Sequence, residues 1–159
     1  MERKRNRLKG YDYSQPGAYF ITICVKDRKC LLSRVVGGDA YIAPCTELTS
    51  IGIVIEKFLR TIPGIAHYVI MPNHIHMILH ISAEDLRRGP MWASAPTNVD
   101  ISSLIRSWKI LVTKELGKSI WQRSYYDHVI RDEQDYYTKL QYIKDNPARW
   151  QKDVYFTEL

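Results

Sequence analysis

Residues 65–81 read IAHYVIMPNHIHMILHI, two apolar, β-branched runs joined by Met-Pro-Asn. Proline fixes its own φ and asparagine favours turns, so the join is tight. A connection this short predicts an antiparallel hairpin of strands 65–70 and 74–81. Side chains alternate along a strand, so Ile75, Met77, Leu79 and Ile81 share one face and read as core. His74, His76, Ile78 and His80 share the other, and that face needs explaining. Two imidazoles two residues apart can both reach one ion; a strand with two histidines can equally be structural or solvent-facing. The pair alone leaves a metal site short, because an ion needs at least a third protein ligand or water. His80 lies about two pleats from His76 and reads as a supporting or solvent-facing residue, and His67 and His128 read as structural.

Outward from this hairpin the pattern alternates between sheet and helix. GAYFITICVKD (17–27) is rich in β-branched and aromatic residues and predicts a strand. Residues 37–45 break the pattern. Leu48, Ile51, Ile55, Phe58 and Ile62 then recur at helical spacing and predict an amphipathic helix packed on a sheet. Residues 82–99, with two prolines and no periodicity, predict a long loop. Asp100 is placed to cap a helix whose apolar stripe is Ile101, Leu104, Ile105, Trp108, Leu111 and Val112. Residues 125–131 predict a strand, and DEQDYYTKLQYIKDN a last helix, opened by acidic residues and stopped by Pro147. The order is β-α-β-β-α-β plus a C-terminal helix. That is α+β, a ferredoxin-like antiparallel sheet with helices on one face and one further helix. The expected organisation is one domain over residues 1–159, with a basic tail at 1–10, the loop at 82–99 and a C-terminal tail at 150–159. The fold alone assigns no function.

Composition narrows the classes. No apolar run reaches the roughly 18 residues that span a bilayer, and the basic start MERKRNRLKG leads into no signal-peptide apolar region. The expectation is a cytoplasmic protein with no membrane partner. Three cysteines without C-x-x-C spacing argue against a zinc knuckle and read as small core residues. A net charge of +6 suits a polyanionic partner without proving one. Arg3, Lys4, Arg5 and Arg7 could grip phosphates or simply be a solvated tail. Trp121, Tyr125 and Tyr126 beside Arg123 could stack on unpaired bases, or pack in the core.

The last helix supplies context for the histidines. Its apolar stripe is Tyr136, Leu140 and Ile143, at i, i+4 and i+7. Tyr142 lies off that stripe, and Asn146 sits one turn further on the same face. A helix C-terminus favours a cation there. The plainer reading is a boundary tyrosine and an asparagine that ends a helix before proline.

Taken together, these segments resemble a known family. VIMPNHIHMIL resembles the His-hydrophobic-His (HUH) motif of single-tyrosine transposases. WQRSYYDHVIRDEQDYYTKLQYIKDNP is similar to the C-terminal signature of REP-associated tyrosine transposases, and YDYSQPGAYFITICVKDR to that family's first strand. The resemblance covers about residues 8 to 150. It implies that Tyr142 is a nucleophile, that His74, His76 and Asn146 hold a divalent ion, Mg²⁺ or Mn²⁺, and that the substrate is single-stranded DNA beside a hairpin or palindromic repeat. It further implies a 5′-phosphotyrosine intermediate and a released 3′-hydroxyl, in a monomer or homodimer. Phenol is a weak nucleophile near its free pKa of about 10, so an ion that polarises the phosphate suits it. Mixed nitrogen and oxygen donors make Mn²⁺ as reasonable as Mg²⁺. Tyr136 and Tyr137 compete for the role, and the shared face with Asn146 favours Tyr142. Two other classes stay open: a non-catalytic single-strand-binding module, and a small metallohydrolase, against which the motif's missing carboxylate counts. The histidines are expected to be exposed, so that replacing either leaves stability nearly unchanged.

Overall fold

The computed structural model describes residues 8–90 and 99–158. Its centre is a four-stranded antiparallel sheet of β1 (Gly17–Cys24), β4 (Ile65–Ile70), β5 (His74–Ile81) and β6 (Tyr126–Ile130), in the order β4-β5-β1-β6. The two central strands are paired along their whole length, from Gly17 opposite Ile81 to Cys24 opposite His74. They are covered on both sides, which is why both read as almost continuous apolar runs. A separate ribbon, β2 (Ser33–Val36) with β3 (Cys45–Leu48), precedes the first helix.

Tyr19, Ile21 and Ile23 of β1 and Ile75, Met77, Leu79 and Ile81 of β5 point into the main core. Helices α1 (Ser50–Leu59) and α3 (Ile101–Leu116) close it, through Ile55 and Leu59 and through Leu104, Ile105, Trp108 and Val112. Each helix starts where the side chains dictate. Thr49 accepts a bond from the Gly52 amide at 3.1 Å, and Asp100 forms a capping box with Ser103, each satisfying amides that a helix start leaves open. Gly52 also lets α1 press on the preceding chain, since a Cβ there would lie 2.0 Å from the Leu32 carbonyl oxygen. Gly117, at φ 70°, ends α3.

α4 (Glu133–Asp145) packs on the opposite face of the sheet, where Ile143 meets Phe20 and Ile78. Tyr136 and Leu140 flank that cluster as the stripe predicts, and Tyr142 joins it as well.

Several expectations need correction. Residues 83–88 of the expected loop form α2 (Ala83–Arg88), started by a capping box between Ser82 and Asp85; residues 91–98 lie outside the described residues. Leu48 belongs to β3, and Ile62 follows the end of α1, although both pack with the core. The broken stretch at 37–45 is mostly the turn of the β2–β3 ribbon, whose strands of four residues are too short for a clear period. Of the cysteines only Cys24 is buried; Cys45 is exposed. The tail is ordered too: a 3-10 turn at Pro147–Lys152 leads into residues that return to the start of β5.

Candidate metal and tyrosine site

The site lies where β5 begins, on the face that α4 covers. The turn before it is pinned by its neighbours: the amides of Leu32 and Val25 donate to the carbonyls of Pro72 and Asn73, both at 2.9 Å. His74 and His76 follow on one side of β5, their rings 4.6 Å apart and 70° inclined. Contrary to the expectation of exposure, both are buried, at 0% and 1%. Burial has a simple cause: α4 and the C-terminal residues cover this face, with Tyr142 5.1 Å and Tyr155 6.0 Å from the His76 ring, and Tyr155 4.5 Å from His74.

Hydrogen bonds orient each ring through Nδ1. His76 Nδ1 lies 2.7 Å from Thr22 Oγ1, and His74 Nδ1 lies 2.9 Å from Asn73 Oδ1. The Asn73 amide nitrogen faces the carbonyl oxygens of Tyr155 and Arg28, at 2.7 and 3.2 Å. Its oxygen must therefore be the acceptor toward His74, which places the proton on Nδ1 and leaves Nε2 with a lone pair. Nε2 of both histidines is buried without a hydrogen-bond partner, and so is Oδ1 of Asn146. Unpaired buried polar atoms cost about 1–3 kcal/mol each, so three in one place ask for a partner. Burial holds His74 neutral, its pKa depressed to about 3, and pushes that of His76 well below the usual range. Neutral imidazoles are the form that binds metal.

Asp153 was absent from the sequence expectations. Its side chain is 3% exposed, and Oδ2 lies 3.8 Å from His74 Nε2, while the Tyr155 amide donates to Oδ1 at 2.9 Å. Burial raises its pKa, partly offset by that amide and by Arg28. One ligand atom from each of His74, His76 and Asp153 falls within 4.8 Å of the other two. The carboxylate that the His-x-His motif lacks thus comes from the far end of the chain. Two imidazole nitrogens, an amide oxygen and a carboxylate fit a divalent first-row cation such as Mn²⁺ better than Mg²⁺, which prefers oxygen throughout.

Tyr142 sits edge-on to His76 and to Phe20. Burial raises its pKa, and Asp153 adds to the rise, while the Asn146 amide and Arg149 favour the phenolate. Tyr136 lies further along the sheet, against His80 and His67. Tyr137 is 57% exposed. His80 is exposed, and His128 pairs with Asp135 at 2.7 Å.

The residues expected to contact DNA separate by strand alternation. Tyr126 pairs with Thr22, so it faces the site side, and it is exposed. Tyr125 faces the other way, buried in the main core with its hydroxyl 3.1 Å from Ser102 Oγ, and is unavailable for base stacking. Trp121 is buried beside Trp108. Arg123 is exposed. Arg3, Lys4, Arg5 and Arg7 lie outside the described residues. Among the described residues no helix is long and apolar enough to cross a membrane.

No protein-family model matches the chain. Individual proteins do. An uncharacterized protein of Haemophilus influenzae is 32% identical over 98% of this chain and 94% of its own length. A REP-associated tyrosine transposase of Escherichia coli is 28% identical over 89% of this chain and 74% of its own. A putative REP-associated tyrosine transposase of Haemophilus influenzae is 27% identical over 87% of this chain. Among solved structures, a REP-associated tyrosine transposase bound to a REP hairpin superposes with a TM-score of 0.57 at 26% identity, covering 94% of this chain and 74% of that one. With the four-stranded antiparallel sheet and the paired histidines facing a helical tyrosine, these likenesses lead to one assignment: the chain belongs to the family of REP-associated tyrosine transposases.

Proposed function

We propose that the protein is a metal-dependent endonuclease and strand transferase for single-stranded DNA beside a hairpin, with Tyr142 as nucleophile and His74, His76 and Asn146 as metal ligands. The observation that carries this reading is the convergence of three unpartnered buried donor atoms beside a tyrosine ring. In this reading the Tyr142 oxygen forms a bond to a DNA phosphorus and the bond from phosphorus to the 3′-oxygen breaks. The phenolic proton passes to solvent, and the released 3′-oxygen takes one up to become a hydroxyl. A bound divalent ion would draw charge from a phosphate oxygen and orient the group for in-line attack. The chain does the rest: Thr22 and Asn73 aim the histidines, the Asn146 amide and Arg149 favour the phenolate, and α4 holds the ring in place. Retaining the phosphate on Tyr142 conserves the bond energy, so a 3′-hydroxyl can later rejoin the strands without a nucleotide cofactor. Exposed Tyr126 and Arg123 offer a base-stacking surface and a phosphate contact, as does the basic start with Arg3, Lys4, Arg5 and Arg7. The hairpin in the substrate is supported by the relative solved with a REP hairpin.

Asp153 gives some support to a second reading, hydrolysis by metal-activated water, but that reading leaves Tyr142 and its environment unused. One experiment separates the two. A hairpin oligonucleotide with an unpaired flank, labelled on the 3′ side of the cut, is incubated with the protein and Mn²⁺ and run on a denaturing gel. A labelled, detergent-resistant protein adduct is the expected result. Cleavage without adduct would favour the hydrolase, and binding without cleavage a recognition module.

A further inference from the structure

Residues 153–157 fold back onto the loop that follows β1. They are fastened at four points: the Arg28 guanidinium donates to the Val154 carbonyl at 3.0 Å, Asn73 donates to the Tyr155 carbonyl, Thr157 donates to the Arg28 carbonyl at 3.0 Å, and Cys30 Sγ lies 3.4 Å from Thr157 Oγ1. The receiving loop is itself built for this. Asp27 and Arg28 both take left-handed backbone conformations, φ 57° and 53°, uncommon for residues other than glycine and held only where the surroundings demand it. That bend presents the Arg28 carbonyl to Asn73 and Thr157 while its side chain reaches the tail. Asn73 is the link to the histidines, because the same amide that binds the tail carbonyl sets the proton on His74.

We propose that this C-terminal segment is a detachable part of the metal centre, with Asp153 as its carboxylate ligand and Asn73 as the residue through which tail docking positions His74. The inference rests on the metal-dependent reading above. His74, His76 and Asn146 are all neutral donors, so without Asp153 a divalent ion would sit in a buried site with its charge uncompensated, a costly arrangement. Asp153 removes one unit of that charge, and a bound cation in turn offsets the cost of burying its carboxylate. Docking and metal binding therefore favour each other, by the same factor in both directions. Exposed Lys152 precedes the segment and gives a protease a place to cut once it lifts.

The test uses the full-length chain and Mn²⁺ alone, followed by the paramagnetic resonance signal of the free ion. Asp153→Asn, nearly the same in shape, is expected to lower Mn²⁺ affinity at least about tenfold, and Glu158→Gln to leave it unchanged. In parallel, Mn²⁺ is expected to slow tryptic cleavage after Lys152 in the wild type and not in Asp153→Asn; thermal melts confirm that both variants fold. Equal Mn²⁺ affinity in wild type and Asp153→Asn, with affinity lost in His76→Ala, would overturn this proposal and leave the metal-dependent reading standing. Absence of Mn²⁺ binding by the wild type would overturn that reading itself. A chain ending at Lys152 that binds Mn²⁺ as the wild type does, and cleaves DNA faster, would show that the tail blocks the site instead of completing it, and would also overturn the proposal.

Discussion

Thr22 and His76 face each other across the two central strands, directly paired in register, with Oγ1 2.7 Å from Nδ1. Residues behind a metal-binding histidine fix its tautomer and aim its free nitrogen. Thr22→Val keeps the shape but leaves the buried His76 Nδ1 unpaired, at a stability cost of about 1–3 kcal/mol. We expect Mn²⁺ affinity to fall about 10–100-fold, measured by calorimetric titration. Unchanged affinity would mean that packing against Phe20 and Tyr142 suffices to orient the ring.

Metal should stabilise the fold. The free protein carries three unpartnered buried atoms at the site, and a ligand that binds only the folded state adds about 2.7 kcal/mol when present at 100 times its Kd. The expected outcome is a clear rise in melting temperature with Mn²⁺, reversed by chelator and absent in His74→Ala and His76→Ala. A melting curve indifferent to metal in the wild type would count against the site.

The three tyrosines of α4 should differ sharply. Tyr142→Phe removes one oxygen from a ring packed against His76 and Phe20, so folding and hairpin binding should persist while the covalent adduct vanishes. Tyr136→Phe and Tyr137→Phe should both retain it, since one ring lies against His80 and the other is largely exposed. The adduct gel decides, and an adduct persisting in Tyr142→Phe would move the nucleophile elsewhere.

Lys109 offers a test of pH dependence away from the site. Its ammonium donates to the carbonyls of Gln122 and Ser124 at 2.9 and 3.1 Å, and burial pushes its pKa down to about 8. In the unfolded chain a lysine titrates near 10.4. Between those values the unfolded state binds more protons, so folding stability contributed through this group rises with pH. Urea unfolding at pH 7.5 and 9.5 should show the wild type gaining on Lys109→Met as pH rises. A constant difference would mean that Lys109 keeps an ordinary pKa.

Much of this arrangement is legible in the residues themselves. Helical spacing marks α1 and α3, alternation separates the core face of β5 from the histidine face, and the offset of Tyr142 from Leu140 and Ile143 marks the site side of α4. What could not be read has one common cause. Burial of His74 and His76 and the approach of Asp153 both depend on which distant segment covers which face. Residues 150–159 have neither period nor composition to announce a partner, and Asp153 meets His74 only because the chain turns at Pro147 and comes back. For Tyr125 and Tyr126 a signal did exist. Once β6 is set in register with β1, alternation alone sends one ring inward and the other out.

The two sides of the sheet are filled unequally. Against the many apolar side chains that α1 and α3 bury, α4 fully buries only Ile143, with Tyr136, Leu140 and Tyr142 half-covered. Burying one such side chain contributes about 1.5–3 kcal/mol, well below the 5–15 kcal/mol that holds a domain together. The helix should therefore lift from the sheet more readily than the strands beneath unfold. Its amide hydrogens should exchange with solvent deuterium through such partial openings, well before those of β1 and β5, which wait for global unfolding. Under the proposed reading the reactive oxygen rides on a lightly anchored element and the histidines on a rigid one, which gives attack and retreat a clock separate from that of unfolding.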